Sequence, residues 1–236
     1  MKNQPNPKTL FIGSFPNETK GGSSTACLLL LKSAEFSGDN IILLDSTIDS
    51  ISDNSIASRV WRAMKRFGKL TKILFSNRPK NALITCGHGW SFVEKGIMLL
   101  FLKLFGIRSV ITPNSGLILQ SFESRFFRWF FKLICQHAKK VVCQGAFWKS
   151  TFSQFTPYHS KLVIVKNWIN PSTASQDLPP FSIKARDEIK LVYLGWIEQY
   201  KGIENLVDAI KICKNKNLNV TLDIWGEGSY KNAIQN

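Results

Sequence analysis

Short apolar runs rich in β-branched residues alternate with longer helical patterns through the first 167 residues, and this rhythm limits the fold more than any other feature. TLFIGSF (9–15), NIILLDS (40–46), NALITCG (81–87), RSVITPN (108–114), KVVCQG (140–145) and KLVIVKN (161–167) read as strands. Helical patterns lie between them near 23–37, 56–75, 91–105, 122–138 and 146–155. Continuous apolar strands are buried on both faces, and alternation with helices implies parallel pairing through right-handed crossovers. The expectation is a doubly wound, Rossmann-like α/β domain over residues 1–169.

The stretch NPSTASQDLPPFSIKARDE, residues 170–188, is rich in Pro, Ser, Thr and Asp and has no apolar period, as expected of a linker. The rhythm then restarts with a strand at 190–196, a helix from about 203 to 214 and a strand at 219–226. Two strands cannot cover both faces of a sheet. Residues 189–236 are therefore expected to be the beginning of a second Rossmann-like domain, with the chain stopping partway through it.

The charge narrows the partners. Thirty-one Lys and Arg against sixteen Asp and Glu give a net charge of +15, a field that attracts nucleic acid, anionic lipid or phosphorylated ligands. The five cysteines are scattered and form no C-x-x-C pair, which argues against a disulfide framework or a structural zinc site. The N-terminal apolar run is too short for a signal peptide, and the apolar stretch 96–107 is about half the length of a membrane span and contains Lys103.

No acid occurs from Asn54 to Val93, where Arg59, Arg62, Lys65, Arg66, Lys69 and Lys72 fall on one side of a helix. Val60, Trp61, Met64, Phe67, Leu70 and Leu74 mostly occupy the other side. A second basic stripe, Arg125, Arg128, Lys132 and Lys139, runs beside Phe126, Phe127, Trp129 and Phe130. Such helices suit the face of an anionic membrane, or a sheet-packed helix whose cations reach water by their stems. Nucleic acid competes as a partner, but the chain holds no recognised nucleic-acid-binding module.

Two strand-to-helix turns carry candidate chemistry. Gly21–Gly22 opens the first helix, either as a close approach to an anion or as a plain junction. Neither a Walker loop nor a G-x-G-x-x-G fingerprint is present. The second turn runs from Gly195 to Lys201–Gly202. A lysine is unfavourable at the positive N-terminal end of a helix unless an anion sits between them, and a helix mouth with a lysine at the carboxyl end of a strand forms a diphosphate cradle.

The segments LVYLGWIEQYKGIENLVDAI and LDIWGEGSYKNAI resemble the retaining glycosyltransferases of family 4, in which strand, Gly, Lys-Gly-Ile and helix follow in that order. VVCQGAFWKSTFSQF followed by KLVIVKNWIN resembles that family's approach to its Asn-Trp-Ile-Asp turn, and Gly21–Gly22 sits where it has a glycine loop. The resemblance implies the GT-B fold of two Rossmann-like domains. It implies transfer of a sugar from a nucleotide-diphosphate sugar to a lipid-linked or surface-polysaccharide acceptor at the cytoplasmic membrane face, with no cofactor and no obligatory metal. Lys201 would hold the diphosphate and stabilise the leaving group; Gly21, Gly22, Gly195, Gly202, Gly226 and Gly228 would border the donor. His88 and Asn114 would join Lys201 as catalytic residues, His88 on the acceptor side and Asn114 hydrogen-bonding a sugar hydroxyl or phosphate. Trp196 stands where many members have an arginine, Asn114 where many have a histidine, and the Glu-x7-Glu motif is absent from these residues. The competing class is a non-catalytic, membrane-associated binding subunit or remnant of such an enzyme.

Overall fold

The computed structural model describes residues 7–15, 22–32, 40–47, 55–167 and 188–234. The chain divides between Ala174 and Ser175 into two units. In the first, β1 (Thr9–Gly13), α1 (Gly22–Leu31), β2 (Ile41–Asp45), α2 (Ile56–Asn77), β3 (Asn81–Cys86) and α3 (Trp90–Leu104) are followed by β4 (Arg108–Pro113) and α4 (Ile118–Ser121). Then come α5 (Arg125–His137), β5 (Lys140–Cys143), α6 (Ala146–Ser153) and β6 (Leu162–Ile164). The six strands form one sheet in the order β2-β1-β3-β4-β5-β6, and every pair is parallel. All carboxyl ends therefore open on one edge, where a doubly wound sheet binds its ligands.

Leu10, Ile12, Ile84, Ile111 and Val141 of the strands are buried, which explains why these runs read as unbroken apolar segments. Phe92, Met98, Leu99 and Leu102 of α3 and Phe127, Phe130, Phe131 and Ile134 of α5 pack into the same core. Each such side chain contributes roughly 1.5–3 kcal/mol by leaving water. The two helices meet closely at Gly96, where an added Cβ would lie 2.6 Å from a ring carbon of Phe130. One aromatic network fills the gaps: Phe122 stacks on Phe155 at 4.2 Å and meets Phe127 and Phe131, which with Phe130 also contact Phe92.

Element boundaries depart from expectation in two instructive places. The helix expected over 122–138 begins only at Arg125, because Ser124 leaves the helical region and its hydroxyl accepts the Phe127 N–H. The short α4 precedes it. Likewise α2 starts on a cap, with the Ser58 N–H donating to the Ser55 hydroxyl at 3.2 Å, and ends at Arg78 in the left-handed region.

The second unit contains β7 (Ile189–Leu194), α7 (Ile203–Asn215), β8 (Val220–Trp225) and the single turn α8 (Lys231–Ile234). β7 and β8 pair in parallel, from Ile189 opposite Val220 to Leu194 opposite Trp225. Ile197, Ile203 and Val220 are buried, whereas Leu194 and Trp225 are 77% and 66% exposed. Among the described residues, this unit is a single βαβ step.

Candidate functional site

At the carboxyl edge of the first sheet lies a cavity of about 1310 Å3. Ser14 after β1, Ser46 and Thr47 after β2, and Gly87, His88 and Gly89 after β3 form one side. Residues of α2 and α3 form the other, with Arg59, Arg62, Arg66, Glu94 and Lys95 among the exposed apolar Ile56, Val60, Met64 and Ile97. The Ser14 and Thr47 hydroxyls are 3.1 Å apart, and the Ser46 hydroxyl donates to the Gly13 carbonyl at 2.9 Å. Asp45 anchors this rim by accepting the Thr47 hydroxyl at 2.6 Å and the Phe15 N–H at 3.1 Å. Burial pushes its carboxyl up, but the hydrogen bonds from Thr47 and Phe15 outweigh that and hold it below the ordinary aspartate range.

Glu94 organises the cationic wall. Its two carboxylate oxygens accept from Arg66 Nε at 2.5 Å and from a second Arg66 nitrogen at 3.0 Å, a bidentate pair, while Lys95 Nζ stands 3.5 Å away. Lys95 is almost wholly buried, and that burial pushes its ammonium below the ordinary lysine value despite Glu94. Cys86 lies nearby and donates to the Thr112 carbonyl; burial pushes its thiol up to about 12.

The expected residues thus separate. His88 lines the cavity, its Nδ1 3.1 Å from the Ser115 hydroxyl. Asn114 lies one strand over at the end of β4; its N–H donates to the Cys86 carbonyl and its side-chain oxygen accepts from Gln144 at 3.5 Å. It does not line the cavity. Of the basic residues expected to face a membrane, Arg59, Arg62 and Arg66 line the cavity, with Arg66 engaged by Glu94. Lys65, Lys69, Lys72, Arg125, Arg128 and Lys132 are exposed. Phe126 and Trp129 are also exposed on α5, their rings 5.9 Å apart, while Phe127, Phe130 and Phe131 fill the core. Gly22 is the exposed first residue of α1 with open space around its Cα, and Gly21 lies outside the described residues.

Sequence reading missed Glu94 and Lys95. One signal was available: Glu94 is the first acid after the long acid-free stretch, so it is the natural partner for that stretch's cations.

In the second unit the expected glycines converge on one place. After β7 the chain makes a 3₁₀ turn at Gln199–Lys201, and Gly202 (φ 72°) starts α7 without a side-chain cap. The left-handed φ is what calls for glycine there. Lys201 is exposed beside these uncapped N–H groups, its Nζ 5.4 Å from the Tyr200 ring centroid. The turn after β8 lies directly against it. A Cβ on Gly226 would fall 1.9 Å from the Gly195 carbonyl oxygen, and one on Gly228 2.0 Å from that of Ile197. The Ile197 N–H donates to the Glu227 carbonyl at 2.9 Å. Glu198 accepts from the Ser229 hydroxyl at 2.7 Å and its N–H at 3.1 Å, and these bonds hold its carboxyl below the ordinary glutamate range.

No protein-family model matches the chain, and no curated protein matches it. Solved structures do. The crystal structure of Anabaena Alr3699/HepE in complex with UDP and glucose superposes with a TM-score of 0.57 at 12% identity, covering 97% of this chain and 64% of that one. The apo lipopolysaccharide outer core galactosyltransferase WaaB gives 0.60 at 14% identity, with 97% and 63% covered. The UDP-N-acetylglucosamine 2-epimerase of Rickettsia bellii gives 0.53 at 11%, with 98% and 64% covered. The chain thus spans a little under two thirds of the length of these structures. Its architecture is α/β and GT-B-like, with a six-stranded Rossmann-like unit followed by part of a second.

Proposed function

We propose that the chain belongs to a glycosyltransferase that moves a sugar from a nucleotide-diphosphate sugar to a lipid-linked or surface-polysaccharide acceptor. The observation that carries this reading is Lys201 beside the uncapped N-terminus of α7, at the carboxyl end of β7. The aligned N–H groups and the ammonium together favour a diphosphate and stabilise the charge that grows on it as the sugar leaves. Complexes of HepE hold UDP-glucose and UDP, and MnaA of S. aureus was solved with UDP, which supports a nucleotide at this fold's donor side. An epimerase shares the fold, so the reaction is argued from the site and not from the architecture.

The first unit receives the acceptor at the cavity edge, where Ser115 fixes Nδ1 of His88 and leaves the other ring nitrogen to meet an acceptor hydroxyl. Gly195, Gly202, Gly226 and Gly228 let two backbone turns close behind the diphosphate. The family-4 resemblance adds retention of configuration, no required cofactor or metal, and a location on the inner face of the cytoplasmic membrane. There, exposed Phe126 and Trp129 among Arg125, Arg128 and Lys132 would contact anionic lipid.

Calorimetric titration of the chain with UDP and UDP-glucose tests the reading. Lys201→Ala is expected to weaken both by about tenfold or more, the worth of a charge-assisted hydrogen bond. Equal binding by the variant and the parent would remove Lys201 from the donor site. Product analysis with longer versions of the chain then separates sugar transfer from 2-epimerisation. Nucleotide binding without turnover there would favour the non-catalytic subunit.

A further inference from the structure

Charge is segregated across the first unit. In a parallel sheet with helical crossovers, strands end and helices begin at the carboxyl edge, and the reverse holds at the amino edge. The acids among its described residues all belong to the carboxyl side: Asp45 closes β2, Glu94 lies in the second turn of α3 and Glu123 just precedes α5. Among the described residues the amino edge carries cations and no acid. Lys8 leads into β1, Lys80 into β3 and Lys139 into β5, Arg108 opens β4, and Lys103 lies in the last turn of α3. All are exposed, and none forms an ion pair with a described acid. Backbone hydrogen bonds set them in a row: the Lys80 N–H donates to the Lys8 carbonyl at 3.0 Å, the Arg108 N–H to the Lys80 carbonyl at 3.1 Å and the Lys139 N–H to the Ser109 carbonyl at 2.8 Å. With strands about 4.8 Å apart, the row across β1, β3, β4 and β5 runs for about 14 Å. Attraction to a helix C-terminus accounts for Lys103 but not for Lys8 and Arg108, which stand at strand starts.

Beside the row is an apolar patch. Phe75 near the end of α2, and Leu104 and Phe105 at the end of α3, are 69%, 82% and 46% exposed. The Phe75 and Phe105 rings meet edge to face, 6.0 Å apart at 87°, so they offer no parallel faces for consecutive nucleic-acid bases, and Leu104 offers none at all. A bilayer that presents an acceptor to the cavity cannot also cover this edge, because the six residues of β4 hold the two edges about 20 Å apart. An exposed apolar centre flanked by cations is instead the composition of a protein-binding hot spot. We propose that the amino edge of the first sheet docks an acidic segment of a partner protein, with its carboxylates on Lys8, Lys80, Arg108 and Lys139 and an apolar side chain on Leu104 and Phe105. The cavity at the carboxyl edge stays open while that partner is bound.

Titration of the chain with an oligoglutamate peptide carrying a central Leu-Phe pair, and with the same peptide carrying Ser-Ser there, tests it. The Leu-Phe peptide is expected to bind at least about tenfold more tightly, from burial of the pair. Both should weaken as salt rises. Leu104→Ser, at an exposed position, should remove the preference and leave the Ser-Ser peptide bound as before. Lys80→Gln combined with Arg108→Gln should weaken both peptides by a similar factor, about threefold or more. Equal binding of the two peptides by the parent, a preference that survives in Leu104→Ser, or unchanged binding in the double variant would each overturn the proposal. So would oligothymidylate of the same length, or phosphatidylserine vesicles, binding more tightly than the Leu-Phe peptide and losing that binding in the double variant. Those outcomes would give the edge to nucleic acid or to a membrane.

Discussion

Cys86 closes the end of β3, and its position makes the pH-dependence of folding legible at a single residue. Its ordinary value is 9.0 and burial raises it to about 12, so between these limits the unfolded chain loses a proton that the folded chain keeps. Stability is therefore fully present below pH 9 and falls as pH rises through this window, by up to about 1.4 kcal/mol per pH unit. Cys135 and Cys143, raised to about 12 and about 11, act in the same direction. Lys95, lowered by burial, acts oppositely as its window closes toward 10.5. Urea unfolding across pH 8–10.5 is expected to show a shallower alkaline decline in Cys86→Ala than in the parent. At this scale the sequence revealed Lys201, because a cation at a helix start is locally anomalous. It concealed Arg66–Glu94, because the partners lie 28 residues apart and only the fold brings them together.

Between helices, α3 and α5 are held by shape. Gly96 offers no side chain, and Phe130 and Ile134 occupy the space one would fill, with Ile134 Cδ1 3.0 Å from an added Cβ. Gly96→Ala should destabilise the first unit by about 1–3 kcal/mol through overpacking, although alanine is the better helix former. A thermal melt checks this, and an unchanged or raised Tm would contradict the packing argument. The outward side of α5 has a separate expectation. Replacing Arg125, Arg128 and Lys132 together by Gln should weaken binding to phosphatidylserine vesicles by tens of fold or more, at about 1 kcal/mol per charge, as read by sedimentation. Helical spacing located both basic stripes, yet could not say which cations turn inward. For α2 the deciding factor is Glu94, on a different helix, which draws Arg66 into the cavity.

Across the whole chain, local patterns foretold the strand order of events but not the depth of burial. The six-stranded sheet has neighbours and helices to cover it, whereas β7 and β8 expose Val192, Leu194 and Trp225. Hydrogen exchange is expected to be slowest at β1, β3 and β4 and much faster at β7 and β8, since protection follows buried apolar contact. Comparable protection in both units would count against this ranking. The apolar character of β7 is as strong as that of β3 in the sequence; what differs is how many elements pack on it, which no single run of residues encodes.

The glycine-lined turns after β7 and β8 are fastened by Glu198 and Ser229 and separated by no side chain, so they shift together or not at all. A tryptophan flanks each of them, Trp196 next to Gly195 and Trp225 next to Gly226, both exposed to solvent. The chain thereby carries its own optical gauge: quenching that disappears in a Trp196→Phe, Trp225→Phe pair would report a nucleotide arriving at Lys201 without any label.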